Sequence, residues 1–203
     1  MDKPEKEFWE KFTAQNLNDI EFNLNHGRDE AALKIILCFI DALAGFYVGR
    51  RDKDSIEDSW FSFIDREMKG VKKLNLKNLK LRLANIELYE YKRNQRNVKK
   101  KIQIIENCCS LLYSIYRNIS IHDGFWPDNF ILFRSKNNSV WLVIYDNLTE
   151  FRIGLNIVEF YKELQKTVKN FTPQLNNKNS ERYKKFKIRY DELKSKFKIQ
   201  KLK

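Results

Sequence analysis

The stretch AALKIILCFIDALAGFYVG, residues 31–49, decides the fold. Its Leu33, Ile36, Ile40, Leu43 and Tyr47 recur at three- and four-residue spacing, which places them on one face of a helix. The run is apolar enough to raise the question of a membrane span. Lys34 and Asp41 answer it: charged groups are costly in hydrocarbon, so the pattern predicts a buried core helix over 28–49, closed by Gly49.

Outward from this helix, the same rules predict a mainly α chain. A short amphipathic helix is expected over 4–15 behind Pro4, a residue suited to a helix start. Another is expected over 54–68, capped by Asp54 or Ser55, carrying Ile56, Trp60, Phe63 and Ile64 and ended by Gly70. Residues 71–97 mix strand-like alternation with helical spacing and specify neither. Over 98–119, Ile102, Ile105, Cys109, Leu112, Tyr116 and Ile119 form one continuous buried stripe, while Ser110, Tyr113 and Arg117 lie on a second face. Two β-branched and aromatic runs around Lys136-Asn137-Asn138 predict a β-hairpin over about 129–146. Helices over 153–171, ended by Pro173, and 179–200 complete the chain. The expected architecture is a helical bundle over 1–175 with one hairpin insertion, followed by a basic amphipathic helix within 176–203.

Composition narrows the function. With 203 residues the chain is long enough to bury a proper core. Its net charge of +12 favours anionic partners: nucleic acid first, then acidic proteins or a membrane surface. From Lys166 to Lys203 there are 13 Lys+Arg against 3 Asp+Glu, so most of the excess lies in the tail. There Tyr183, Phe186, Tyr190, Leu193 and Phe197 repeat at helical spacing, which suits docking on the bundle, RNA binding by an outer face that includes Lys184 and Lys185, or both. Cys38, Cys108 and Cys109 lie within apolar patterns and are expected as reduced core residues of a cytoplasmic protein. The charged N-terminus MDKPEKEFWEKF lacks the apolar run of a signal peptide. No phosphate-cradling glycine loop, nucleophile elbow or zinc-ligand cluster occurs, and neither a metal nor a cofactor is expected.

Histidine chemistry has two candidates, His26 and His122. His122-Asp123 matches the His-Asp pair of metal-dependent phosphohydrolases, but that site needs another upstream histidine and a distant aspartate. The segment YRNISIH, 116–122, holds the other option, Arg117 and His122. Five residues on a helix leave them about 140° apart, so one helix cannot make them converge without a bend or a second subunit. A helix end is the simpler account, since cations there favour the macrodipole.

The motif Arg117-Asn118-x3-His122, at the end of an apolar LLYSIYRN helix, resembles the Arg-x4-6-His signature of the HEPN (higher eukaryotes and prokaryotes nucleotide-binding) superfamily. The segments FIDALAGFYVGRR and WFSFIDREM upstream, and the runs from 129 to 171 downstream, are similar to small bacterial HEPN-like proteins. In that family a glutamate and a lysine commonly stand one and two turns before the arginine; here those positions are Tyr113 and Cys109. The resemblance implies a metal-independent endoribonuclease, a homodimer with its motifs facing across the interface, and a nucleotidyltransferase antitoxin as partner in a toxin–antitoxin or phage-defence setting. It also implies roles. His122 would move a proton, Arg117 would hold the scissile phosphate, and Asn118 would orient either one. Trp126, beside the motif, is suited to stacking on a base or packing on the hairpin. The second face of the 98–119 helix is the expected two-fold interface. A catalytically silent module that binds RNA or a protein fits the same residues.

Overall fold

A computed structural model describes residues 1–51, 54–73, 89–92, 95–99, 112–113, 130–135, 140–145 and 151–197. Among them are five α-helices: α1 (Lys3–Asn25), α2 (Asp29–Val48), α3 (Ile56–Glu67), α4 (Ile157–Phe171) and α5 (Glu181–Phe197). The mainly α expectation holds.

The apolar run of α2 becomes the axis of the bundle, packing on α1, α3, α4 and α5. By length and composition α2 could cross a membrane, yet 61% of its most apolar window is buried within the chain, as befits a core helix. It stops where Gly49 takes a left-handed φ of +70° and Arg50 N–H donates to Gly45 O at 2.8 Å. Glycine is required there twice over. A Cβ at Gly49 would also stand 3.0 Å from the Lys185 carbonyl, because α5 crosses closely at that point. The core is dense in aromatic rings. Trp9 meets Phe46, Phe171 and Phe186 edge-on at centroid distances of 5.7–5.8 Å, and its indole N–H donates to Thr172 Oγ1 at 3.0 Å.

Helix α1 runs ten residues beyond the expected 4–15, ending at Asn25. Ile20 and Leu24 are buried, and Tyr161 OH donates to Leu17 O at 3.0 Å. Asn16 and Asn23 each return a side-chain hydrogen bond of 2.8 Å to the carbonyl four residues back, so these helix-averse residues are accommodated rather than disruptive. Tertiary burial outweighs their propensity.

The strands correct three expectations. Tyr89–Lys92 (β1) and Gln95–Lys99 (β2) pair antiparallel, so residues 98 and 99 end a strand instead of opening a helix. Phe130–Phe133 (β3) and Trp141–Tyr145 (β4) are strands as read, but they do not form a hairpin with each other. Phe151–Asn156 (β5) lies between them, parallel to β3 and antiparallel to β4. Residues 153–156, expected as helix, therefore belong to a central strand, and α4 starts at Ile157. The reason is backbone pairing: β5 in the centre has both edges satisfied and gives the sheet two ladders, whereas a hairpin of β3 and β4 has one.

Two further placements differ from the sequence reading. Cys38 is exposed on α2 instead of buried; Cys108 and Cys109 lie outside the described residues. Tyr113, assigned to an intersubunit face, is 8% exposed and packs at 5.8 Å on Trp60 and 5.5 Å on Phe61 of its own chain. Its neighbour Leu112, a member of the predicted stripe, is buried as expected. The remainder of the 98–119 helix beyond 99, apart from these two residues, lies outside the described residues.

Candidate nucleic-acid interface

The basic C-terminal helix offers the first surface to test. Helix α5 docks through the stripe its sequence foretells: Tyr183, Phe186 and Tyr190 are buried and Leu193 partly so. Residues 179–197 are thus a structural member of the bundle.

Docking also determines what its cations do. Lys187 places its Nζ 2.8 Å from Glu5 Oε1 and 2.9 Å from Asp191. Lys185 pairs with Glu181 at 2.7 Å. Arg189 pairs with Glu192 at 2.8 Å and donates to Arg50 O at 3.3 Å. Arg182 stacks 3.5 Å above the Tyr47 ring, donates to Tyr47 OH, and lies 3.7 Å from Glu67. Arg182 and Arg189 both reach the carbonyl-rich end of α2, where the helix dipole favours cations. Of the two lysines expected to bind substrate, Lys185 is held by Glu181, whereas Lys184 is exposed and makes no ion pair among the described residues. Lys194 is exposed in the same way.

The most deeply set charge in this surface is Glu5. Its side chain is 3% exposed, yet it accepts from Asp2 N–H at 2.8 Å and from Tyr183 OH at 2.9 Å, and pairs with Lys187. Burial pushes its carboxyl pKa up, but the hydrogen bonds from Lys187, Asp2 and Tyr183 together prevail and hold it below the ordinary value. The Tyr183 hydroxyl is pushed up to about 12, by burial first and then by its bond to the Glu5 carboxylate. Burial opposes the charge of Lys187, but Glu5 and Asp191 overcome it and raise its pKa. Glu5 remains ionised and Lys187 protonated at neutral pH, so this trio clamps α5 to α1.

The residues expected to carry catalysis, Arg117, Asn118 and His122, lie outside the described residues, as does Trp126. The other histidine is committed to local structure. His26 caps α1, with Nδ1 2.7 Å from Phe22 O and its ring 4.2 Å from that of Phe22. Asp41 pairs with Arg50 at 2.9 Å, the structural role available to a carboxylate inside an apolar helix. Lys34 is exposed. A cleft of about 730 Å³ lies between the α1–α2 turn and β3, with Ile131 and Leu132 on one side. Its Asp29 is taken by Arg134, which also donates to Leu24 O at 2.6 Å; Arg28 and Glu30 leave the mouth without a dominant sign of charge.

A second set of cations escaped the sequence reading. Arg66 and Lys69 at the end of α3 are exposed, as are Lys162, Lys166 and Lys169 on the outer stripe of α4. Their signal is divided in the sequence: Lys166 and Lys169 fall within the charge excess of the tail, and the run KGVKK lies about 90 residues earlier, so only the fold brings them together. Among the described residues no group of three His, Cys, Asp or Glu side chains is placed to share a metal ion.

No protein-family model, no curated protein and no solved structure matches this chain, so the functional reading rests on the chain's own residues.

Proposed function

We propose that this chain is a metal-independent endoribonuclease of HEPN type, acting in the cytoplasm as a homodimer and serving as a toxin or phage-defence component held in check by a nucleotidyltransferase antitoxin. The observation that carries the reading is the segment YRNISIH, with Arg117, Asn118 and His122 in the order and spacing of the family motif. The helical architecture and the charge of +12 are compatible with it.

In this reading His122 takes the proton of an RNA 2′-hydroxyl or returns one to the leaving oxygen, work suited to a group with a pKa near about 6.5. The Arg117 fork holds the scissile phosphate and stabilises the charge that develops on it. Asn118 orients the histidine or the phosphate.

Purified protein is expected to cleave single-stranded RNA in EDTA. Arg117→Ala and His122→Ala should each lower the rate by about 10²–10⁴-fold while leaving the thermal melt unchanged. Equal product from wild type and His122→Ala would overturn the assignment.

A second reading has one observation in its favour. Tyr113 stands one turn before Arg117, where family members commonly carry a charged residue, and it packs into the core against Trp60 and Phe61. A module that binds RNA or a protein without cleaving would show no difference in product between wild type and a chain carrying both Arg117→Ala and His122→Ala, yet would retain its ligand.

A further inference from the structure

Arg182, Lys185, Lys187 and Arg189 of α5 are engaged by carboxylates or by the end of α2; at the junction of α3 and α4 the cations stay exposed, two of them beside recessed glutamates. Residues 65–73 and 157–171 together contain seven Lys+Arg against four Asp+Glu, and one of those acids, Glu67, is drawn to Arg182 at 3.7 Å. The geometry is fixed by the 3₁₀ turn Lys69–Lys73, which is clamped onto α4. Met68 and Val71 are fully buried beneath it, Gly70 N–H donates to Glu163 Oε1 at 2.8 Å, and Thr167 Oγ1 donates to Glu67 O at 3.3 Å. The approach is so close that a Cβ on Gly70 would stand 2.7 Å from the Glu163 carboxylate. The clamp sets Lys69 beside α4, whose Lys162, Lys166 and Lys169 share one helical face over about 10 Å of axis.

The local carboxylates are recessed while the ammonium groups stand out. Glu159 and Glu163 side chains are 11% and 12% exposed, whereas their partners Lys162 and Lys166 are 59% and 66% exposed at pair distances of 2.6 and 3.9 Å. Lys69 and Lys169 are exposed and make no ion pair among the described residues. The helix dipoles account for Arg66 and Lys69 at the end of α3 and for Lys169 in the last turn of α4, but not for Lys162 and Lys166 in mid-helix. Three lysines over about 10 Å match a sugar–phosphate backbone, whose charges recur every 3–7 Å or so.

We propose that this edge, formed by Arg66, Lys69, Lys162, Lys166 and Lys169, holds the phosphate backbone of RNA, and that it rather than α5 supplies most of the electrostatic affinity. The inference rests on the reading of this chain as one that acts on RNA. It assigns the backbone contact to a surface outside both the Arg117–His122 motif and helix α5.

The test is a fluorescence-anisotropy titration of a labelled single-stranded RNA of about 20 nucleotides, in EDTA, between about 50 and 200 mM salt. The His122→Ala chain provides the uncleaving background. Adding Lys69→Gln, Lys166→Gln and Lys169→Gln together should weaken binding about 10–100-fold and flatten the log–log salt slope by about 2, since each single-strand phosphate contact contributes about 0.7. Lys184→Gln with Lys194→Gln should change the slope by less than half of that. Should the triple variant melt at a lower temperature, Lys169→Gln alone must still flatten the slope by about 0.7. An unchanged affinity and slope in the triple variant, with the parent chain binding RNA, overturns the edge and leaves the RNA reading standing. A parent chain that binds no RNA overturns both. Loss of binding to anionic phosphatidylserine vesicles with RNA binding intact would assign the edge to a membrane surface and also overturn the proposal.

Discussion

Replacing Glu5 by alanine removes the one carboxylate on which Asp2 N–H, Tyr183 OH and Lys187 converge. The losses can be sized separately. A hydrogen bond to a charged group is worth about 1.5–3 kcal/mol, and Tyr183, 8% exposed, would be left with its hydroxyl unsatisfied. Lys187 is 38% exposed and retains Asp191 at 2.9 Å, so its share falls well below the figure for a fully buried pair. The expected cost is about 3 kcal/mol at neutral pH, which for a chain of this size lowers Tm by about 6–12 °C. Glu5→Gln keeps an acceptor for the tyrosine and the backbone but loses the charge, and should cost about half as much. The pH dependence supplies the sharper test. Because the folded carboxyl titrates below its ordinary 4.5, its stabilisation is fully present above that value and is lost as pH falls through the folded pKa. The wild-type advantage over Glu5→Gln should therefore be constant from neutral pH down to about 5 and shrink in more acidic buffer. Urea melts of the three proteins across that range are the assay. A cost below about 1 kcal/mol for Glu5→Ala, or an advantage that grows on acidification, would refute the clamp.

Two further outcomes follow from the packing of α5. Gly49→Ala puts a side chain at φ +70° and against the Lys185 carbonyl at 3.0 Å, so it should cost about 2 kcal/mol and lower Tm by about 4–8 °C in a thermal melt. Deleting residues 179–203 removes Tyr183, Phe186 and Tyr190 from the core, so the truncated chain should show no cooperative melt by circular dichroism; a folded truncation with weakened RNA binding would instead mark α5 as a detachable arm.

The helices that could be read from the sequence were those whose signals are local. Over 28–49, 54–68 and 179–200 the apolar stripe, the Ser55 cap and the Gly49 stop lie within the element; the bounds of α2 and α3 fall within two residues of those expected, and α5 starts two residues after 179. The second half of α1 could not be read, because NLNDIEFNLN is polar by propensity and is helical only through the burial of Ile20 and Leu24 by other elements. The sheet order failed for a related reason. The alternation of β3 and β4 identifies them as strands, but nothing within either run reports that a third strand, 151–156, will separate them. The charge of the tail was legible and its use was not, since Glu5 and Glu67, which bind Lys187 and Arg182, lie more than a hundred residues away in sequence. Of the candidate site, Lys184 and Lys185 can be compared with the structure, and only Lys184 faces solvent without an ion-pair partner among the described residues.

The clamp joins residues 178 positions apart, Glu5 and Tyr183, which has a consequence on the ribosome. At about 5–20 residues per second, α1 emerges roughly 9–36 s before the tyrosine that covers its carboxylate has been made. Throughout that interval Trp9 lacks Phe186, and the aromatic centre of the bundle has no lid. Helix α2, the most apolar element, waits in the same open state until α4 and α5 have been made to cover it. Folding of this chain is thereby deferred until α5 clears the exit tunnel, and a nascent fragment that ends before residue 183 has no route to the closed bundle.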